Sequence, residues 1–289
     1  MRSQLIILLL LAAGSVPASA TELPWAQAEY KARKMFMTIR LDMRLQMLTG
    51  AATEVATPLA FQGEGVPLQG DTAALVTLRS RRSGQTKETQ LYVDPDNGAA
   101  LRRQQREWSN NPDFKDLRYT TTGIARTRAE PLRGEAEKPP SEWGQVRQQF
   151  RAFPAGKAGA VVSDAAIMPF LVATHDWQGP ADKFEFFVFQ DQQLVRISAA
   201  GVRLNNTRVD FKADGKTVDG KQKLLEVRVI AVAADGSGTA DIDLFGLSSD
   251  VLLLIDTGRG VPVEIRGSVP FLGEVRFALT RVRKAQAGN

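Results

Sequence analysis

Hydrophobic and polar side chains alternate along residues 34 to 47. Polar positions such as Thr38, Arg40 and Asp42 are each separated by one apolar residue. Side chains of a β-strand point alternately to the two faces of a sheet, so this period of two predicts a strand with one buried face. The run is about twice the length of a typical strand, which favours a large, curved sheet. The apolar positions are Met35, Met37, Ile39, Leu41, Met43, Leu45 and Met47.

Similar segments with turn residues between them predict further strands in both halves of the chain. The turn signals are the stretch 94–98, which contains Pro and Gly, and the Asp-Gly pairs that begin at Asp214, Asp219 and Asp235. Strands at this spacing, without alternating helices, indicate an antiparallel meander. The predicted strands are 74–79, 86–93, 101–108, 119–128, 184–190, 194–199, 202–211, 224–232, 239–244, 251–256, 261–266 and 274–282.

The period changes in the middle of the chain, where two helices are predicted. The first covers residues 141–153, with Ser141 as its N-cap and Pro154 as its stop, and the second covers 164–173 after Ser163. The apolar face of the first helix has the spacing i, i+3, i+7 and i+10, formed by Trp143, Val146, Phe150 and Phe153.

The predicted fold is mainly β. We expect a large, strongly curved antiparallel sheet, a half-barrel, with one or two short central helices packed in or over its concave face. Residues 21–289 are predicted to form a single domain, with the helical insert at about 141–173.

Residues 1–20 have the pattern of a secretory signal peptide. Arg2 precedes an apolar run from 5 to 13, and the small-residue site 18–20 follows, so cleavage is expected after Ala20. The apolar run is too short to cross a bilayer. The sequence thus predicts a periplasmic protein with no integral membrane segment after cleavage.

The residues that most catalytic and metal sites require are scarce. The chain has no Cys and a single histidine, His175, which excludes disulfides, thiol nucleophiles and Cys-based metal sites. We therefore expect no catalytic residue, metal or other cofactor. An apolar run does lead into Asp256-Thr257-Gly258, as in aspartic proteases, but that chemistry needs two carboxylates and no second such motif occurs. A strand ending in a turn is the simpler interpretation.

The whole chain has a formal net charge of +5, and its basic residues are concentrated in the middle of the sequence. They predict contact with an anionic lipid headgroup or another anionic envelope molecule. The alternative is that they are solvated strand faces, since acidic residues are interleaved with them. No nucleic-acid recognition motif accompanies them, so nucleic acid is not an expected partner. The predicted basic patch consists of Arg79, Arg102, Arg103, Arg106, Arg126 and Arg128.

The methionines of the first strand suggest an adaptable apolar surface. Methionine is flexible and polarisable, and it suits a site that accommodates variable apolar ligands. The predicted ligand-lining set is the seven-residue apolar stripe together with Trp143 and Phe150 of the first helix. Plain core packing, with that helix covering the stripe, is the alternative.

Several segments carry a resemblance to a known group of proteins. They are the long first strand, the hairpin at 92–95, the strand at 123–128, the Ser163-Asp164 helix start, and the segments 262–267 and 272–275. In these the chain resembles uncharacterised bacterial periplasmic proteins grouped as a domain of unknown function. The resemblance implies a curved antiparallel sheet like that of periplasmic lipoprotein carriers.

The preferred function hypothesis is a non-enzymatic periplasmic binding or carrier protein for an apolar or amphipathic envelope molecule. Two alternatives stay open, an aspartate-dependent hydrolase that uses Asp256 and a periplasmic scaffold or assembly partner. The sequence leaves the oligomeric state open.

Overall fold

The computed structural model describes residues 23–34, 36–50, 63–82, 84–190, 193–269 and 272–285, with the backbone alone at 249 and 250. These residues form one sheet of fifteen strands and one short α-helix. The predicted fold class is confirmed, because the protein is mainly β and antiparallel pairing dominates the sheet.

Two groups of strands account for the sheet. The first group consists of β1 (Gln27–Lys34), β2 (Met37–Thr49), β3 (Thr72–Arg82), β4 (Gln85–Val93), β5 (Ala100–Trp108), β6 (Asp113–Tyr119), β7 (Gly123–Glu130) and β8 (Gln145–Ala152). The second group consists of β9 (Val162–Asp164), β10 (Lys183–Gln190), β11 (Gln193–Ala213), β12 (Lys216–Ala233), β13 (Ser248–Asp256), β14 (Val261–Val269) and β15 (Gly273–Arg283).

Neighbours in sequence are neighbours in the sheet throughout both groups. The order is β8 to β1, then β15 down to β9, so β1 pairs with β15 where the groups meet. Two pairings are parallel, β9 with β10 and a short contact of Lys212 and Ala213 of β11 with β15. Because of the second contact, β11 to β15 form a closed ring, and β8 to β2 extend from it as a wall.

The alternation along β2 is confirmed. Leu41, Met43 and Leu45 are buried, whereas Arg40 and Arg44 at alternate positions are exposed. We call the face with the buried residues the inner face and the opposite one the outer face. The inner face belongs to one large hydrophobic core that spans both strand groups. Met35 lies outside the described residues.

The second predicted helix is confirmed in a shorter form, α1 (Met168–Thr174), after a 3₁₀ turn at Ala165–Ile167. The Asp164 carboxylate accepts a hydrogen bond from the Ala166 N–H, which caps the turn. Helix α1 packs against β13 and β14, and its Phe170 ring meets Trp25 edge-on. The helical segment therefore lies in the core on the inner side of the sheet.

The first predicted helix, residues 141–153, is wrong. A 3₁₀ turn at Pro140–Glu142 is followed by strand β8, which pairs along its whole length with β7. Strand β8 is at the edge of the sheet and mostly exposed, so no buried face imposes a period on its sequence. Trp143 belongs to the preceding turn, where its Nε1–H donates to the Lys138 carbonyl oxygen at 3.1 Å. The predicted insert at 141–173 is thus helical only around residues 165–174.

Other strand and turn predictions also need correction. The predicted strands 194–199 and 202–211 form one strand, β11, whose register with β12 shifts between Gly201 and Arg203. Residues 239–244 form only isolated bridges, at Thr239 and Leu244. Asp219-Gly220 lies inside β12 and pairs with β11, because Asp214-Gly215 already forms the hairpin turn between these long strands. A turn at residues 120–122 divides the predicted strand 119–128 between β6 and β7.

In the part of the chain that the structure describes, no helix has the length and apolar composition needed to cross a membrane.

Candidate ligand-binding cavity

The inner face of β2 to β8 forms one wall of a cavity of about 530 Å³. The end of β10, the segment 243–246 and the β14–β15 turn form the opposite wall. We call this space the inner cavity. Its volume lies within the range of roughly 300–1,000 Å³ that small-molecule sites occupy.

The end of the inner cavity next to β2 and β3 carries several apolar side chains, together with Ser80 and Arg82. Ile39 and Leu41 of β2 lie beside Leu78 of β3, and side chains of the opposite wall include Phe245 and Leu272. The strand pairing brings the first three together, since β2 and β3 pair from Ile39–Arg82 to Thr49–Thr72. This end offers a surface for hydrocarbon.

The other end is cationic. Arg126 of β7 lies opposite Leu117 of β6, and Leu117 lies opposite Arg103 of β5, so two arginines flank one leucine on three adjacent strands. Arg151 of β8 also lines the cavity. The alternation within each strand directs all four side chains inward. Among the described wall residues, six are basic and three are acidic: Arg82, Lys87, Arg103, Lys115, Arg126 and Arg151 against Glu107, Asp164 and Asp243.

Arg103 takes part in a buried ionic cluster. Its Nη1 lies 2.9 Å from Oδ2 of Asp164, and the Tyr119 hydroxyl donates to the same oxygen. Burial opposes the charge on Arg103, but the interactions with Asp164, Tyr119 and Asp243 together exceed this effect and raise the pKa of the guanidinium. Burial, followed by the charge of Asp164, raises the pKa of Tyr119. The cluster fastens the segment before α1 to the inner face of β5 and β6.

Arg126 differs from its neighbours because no described carboxylate forms an ion pair with it. Burial lowers the pKa of its guanidinium, and repulsion from Arg128 and Arg103 lowers it further, although Asp113 acts in the opposite direction. Arginine stays protonated at neutral pH despite such a shift. The cavity therefore holds a positive charge with no partner of opposite sign among the described residues.

The predicted basic patch is divided between the two faces. Arg103, Arg126 and Arg128 are on the inner face, and Arg128 is paired with Asp113 and Glu130. The other three are on the outer face. There Arg79 pairs with Glu88, Arg102 pairs with Asp116, and the Arg106 guanidinium stacks over the rings of Trp108 and Trp143.

The predicted ligand-lining residues are likewise separated. Ile39 and Leu41 line the inner cavity. Met43 and Leu45 are buried in the core, and Met37 and Met47 are half-buried outside the described cavity wall. Trp143 and Phe150 do not reach the cavity, because Phe150 lies between the two lining residues of β8 and so faces outward.

The sequence patterns identified Arg103 and Arg126 but missed other basic residues of the cavity wall. Lys87, Lys115 and Arg151 line it but were not predicted. The sequence of β6 contained a usable signal. Lys115 is two residues before the buried Leu117, so both side chains lie on the same face of the strand.

A second cavity, of about 820 Å³, lies beside β10 and the β4–β5 turn. Its described wall includes the rings of Phe184 and Phe187. Its charged residues are Lys157, Arg196, Glu185 and Asp235, so the charges balance. None of the predicted site residues is in this wall.

Asp256 and His175 have structural contacts. The Asp256 carboxylate pairs with Arg259 and accepts the Arg259 backbone N–H at 3.1 Å, which stabilises the turn between β13 and β14. His175 ends α1 and stacks on Phe184 with ring centroids 4.6 Å apart. Within the described ranges, no group of three or more acidic or histidine side chains is placed to hold a metal ion.

Comparisons of the chain with protein-family models, with curated protein sequences and with solved structures find no match.

Proposed function

We propose that the mature chain, exported to the periplasm after cleavage behind Ala20, binds an apolar or amphipathic envelope molecule in the inner cavity without a catalysed reaction. The observation that carries the proposal is the composition of this cavity. Apolar and cationic side chains line the same space, with Ile39, Leu41 and Leu78 toward β2 and with Arg103, Arg126 and Arg151 toward β8, and the space has the size of a ligand.

Core packing alone does not account for this wall. A wall that served only the core would exclude charged side chains, because burying charge is costly without a partner. Here the strands turn apolar and basic side chains toward the same space. A concave site with apolar walls and a few polar groups is the usual form of a small-molecule site. A carrier role belongs to the same proposal, by analogy of the curved sheet with that of periplasmic lipoprotein carriers.

The proposal predicts that the protein purified from the periplasm contains lipid. Organic extraction followed by mass spectrometry should detect an amphipathic molecule in stoichiometric amount, and the delipidated protein should take up a fluorescent fatty-acid probe. Repeated absence of extractable lipid, together with no uptake of the probe, would contradict the proposal. A scaffold or assembly partner would then be the leading hypothesis.

A further inference from the structure

We infer that the inner cavity selects ligands with an anionic head, a carboxylate or a phosphate, and binds this head between Arg126 and Arg103 above Leu117. The inference rests on the proposed function and adds to it the chemical class of the ligand and its orientation. The hydrocarbon part would then extend over Leu78 and Leu41 toward Ile39.

The positions of the two arginines allow both to reach one anionic head. Arg126 and Arg103 flank Leu117 on strands two apart in the sheet, so their Cα atoms are separated by about 10 Å. Both side chains point into the cavity, and each is long enough for its guanidinium to reach the space above the leucine. Two guanidinium groups over an apolar floor suit one anionic head, because arginine binds carboxylate and phosphate oxygens through paired N–H donors.

The two arginines also have N–H donors that no described residue uses. Arg126 has no ion pair with a described residue, and the buried Nε of Arg103 has no acceptor there, although its Nη1 is bonded to Asp164. Burial lowers the pKa of Arg126, and the nearby positive charges of Arg128 and Arg103 lower it further because they repel its guanidinium. An anion between the two groups would relieve this repulsion and accept the free N–H donors.

The opposite orientation fits less well. At the apolar end, a charged head would meet Leu41, Leu78 and the ring of Phe245, and it would lose hydration without gaining a comparable pair of donors. Arg82 is the nearest cation at that end and is exposed to solvent, where an ion pair contributes little.

The test compares three ligands with the same sixteen-carbon chain: hexadecanoate, monohexadecyl phosphate and the neutral hexadecanol. Each displaces the neutral fluorescent probe N-phenyl-1-naphthylamine from the delipidated protein. We expect the anions to displace the probe at concentrations about tenfold or more below that of the alcohol, since hydrogen bonds to charged groups are the stronger ones. The anion that displaces the probe at the lower concentration identifies the preferred head as carboxylate or phosphate.

Variants then assign the preference to the site. Arg126→Gln should remove most of the anion preference, so that the anions displace the probe at concentrations close to that of hexadecanol, whereas Arg126→Lys should retain part of the preference because it keeps the charge. The matched control is Arg81→Gln, which removes one exposed positive charge from the outer face of β3. Circular dichroism and the denaturation midpoint establish that each variant is folded.

Two results would overturn the inference in different ways. Equal displacement by all three ligands, or an anion preference that Arg126→Gln and Arg126→Lys both leave intact, would refute the anionic head site while the cavity still binds a ligand. Failure of the wild type to bind any probe or ligand would refute the proposed function itself, and the head site with it.

Discussion

The ionic cluster around Asp164 makes a quantitative prediction about stability. Asp164 is fully buried and accepts hydrogen bonds from Arg103 Nη1 at 2.9 Å, from the Tyr119 hydroxyl, and from the Ala166 N–H at 2.8 Å. The substitution Asp164→Asn keeps the size of the side chain and one oxygen for the Ala166 N–H. It removes the negative charge that faces Arg103.

The expected cost follows from the burial of the pair. Removing one partner of a buried ion pair costs about 3–5 kcal/mol, because the other charge is left uncompensated. The Arg103 side chain is 21% exposed, so water can solvate part of its charge. We therefore expect Asp164→Asn to lower the free energy of unfolding by about 2–4 kcal/mol.

A double-mutant cycle with Arg103→Gln separates the pair from the rest of the cluster. Urea denaturation of the four proteins, followed by tryptophan fluorescence, should give a coupling energy of about 1.5–3 kcal/mol. The matched control is the outer-face pair Arg79–Glu88, with a 2.7 Å contact and a 44% exposed arginine. The same cycle there, with Arg79→Gln and Glu88→Gln, should give about 0–1 kcal/mol.

The reasoning fails if Asp164→Asn costs less than about 1 kcal/mol, or if its coupling to Arg103 is no larger than that of the outer-face pair. Either outcome would mean that the cluster does not fasten the helical segment to the inner face. The slope of the free energy against urea concentration should stay constant, since a changed slope would indicate a different unfolding transition.

Three further predictions test the core, the sheet edge and a turn. Met43→Ala should cost about 2–5 kcal/mol because Met43 is buried, whereas Met47→Ala, at a half-buried position, should cost clearly less in the same denaturation assay; equal costs would contradict the assigned burial. Gly123→Ala should lower the melting temperature, because a Cβ there would lie 2.3 Å from a backbone carbonyl oxygen of β8, and Gly258→Ala, with no contact closer than 3.5 Å, should leave it almost unchanged; a neutral Gly123→Ala would argue against the β7–β8 pairing. Two backbone N–H groups hold the pKa of the Glu135 carboxyl below its ordinary value, so its stabilising effect should be present at neutral pH and be lost as the pH falls through the lowered pKa; a carboxyl carbon that titrates by NMR at or above the ordinary value would refute this.

Much of the sheet could be predicted because its strands have one apolar face. In β2 the alternation predicts both the strand and its buried side, and burial of Leu41, Met43 and Leu45 agrees with it. The turn at 94–98 was also predictable, since Asp94 accepts the Asp96 N–H in a local side-chain turn.

Strand β8 could not be predicted because its spacing suits two structures. Val146 and Phe150 are four residues apart, which places them on one face of a helix and also on one face of a strand. Pairing with β7 decides between them, and this pairing joins residues that a single-sequence pattern does not connect.

The cavity was only partly predictable for a related reason. Arg102 and Arg103 are consecutive, so one must face inward, but the sequence of β5 does not say which. Ala100 and Leu101 are both buried and mark no face. The pairing with β6 places Arg103 beside Leu117 and thereby on the inner face.

The central claim is that a ligand occupies the inner cavity. It is tested most directly by placing a large side chain on the inner face of β2, where it takes up cavity space. Ile39→Trp adds bulk to the cavity wall, and Thr38→Trp places the same side chain at the preceding residue, which is exposed on the outer face. Ser80→Trp, on the adjacent strand and also in the wall, serves if Ile39→Trp does not fold. The measurement is the uptake of a fluorescent fatty-acid probe by the delipidated, folded proteins. The account predicts that the cavity variant loses uptake while Thr38→Trp binds like the wild type. Equal uptake by a folded cavity variant, Thr38→Trp and the wild type would contradict it.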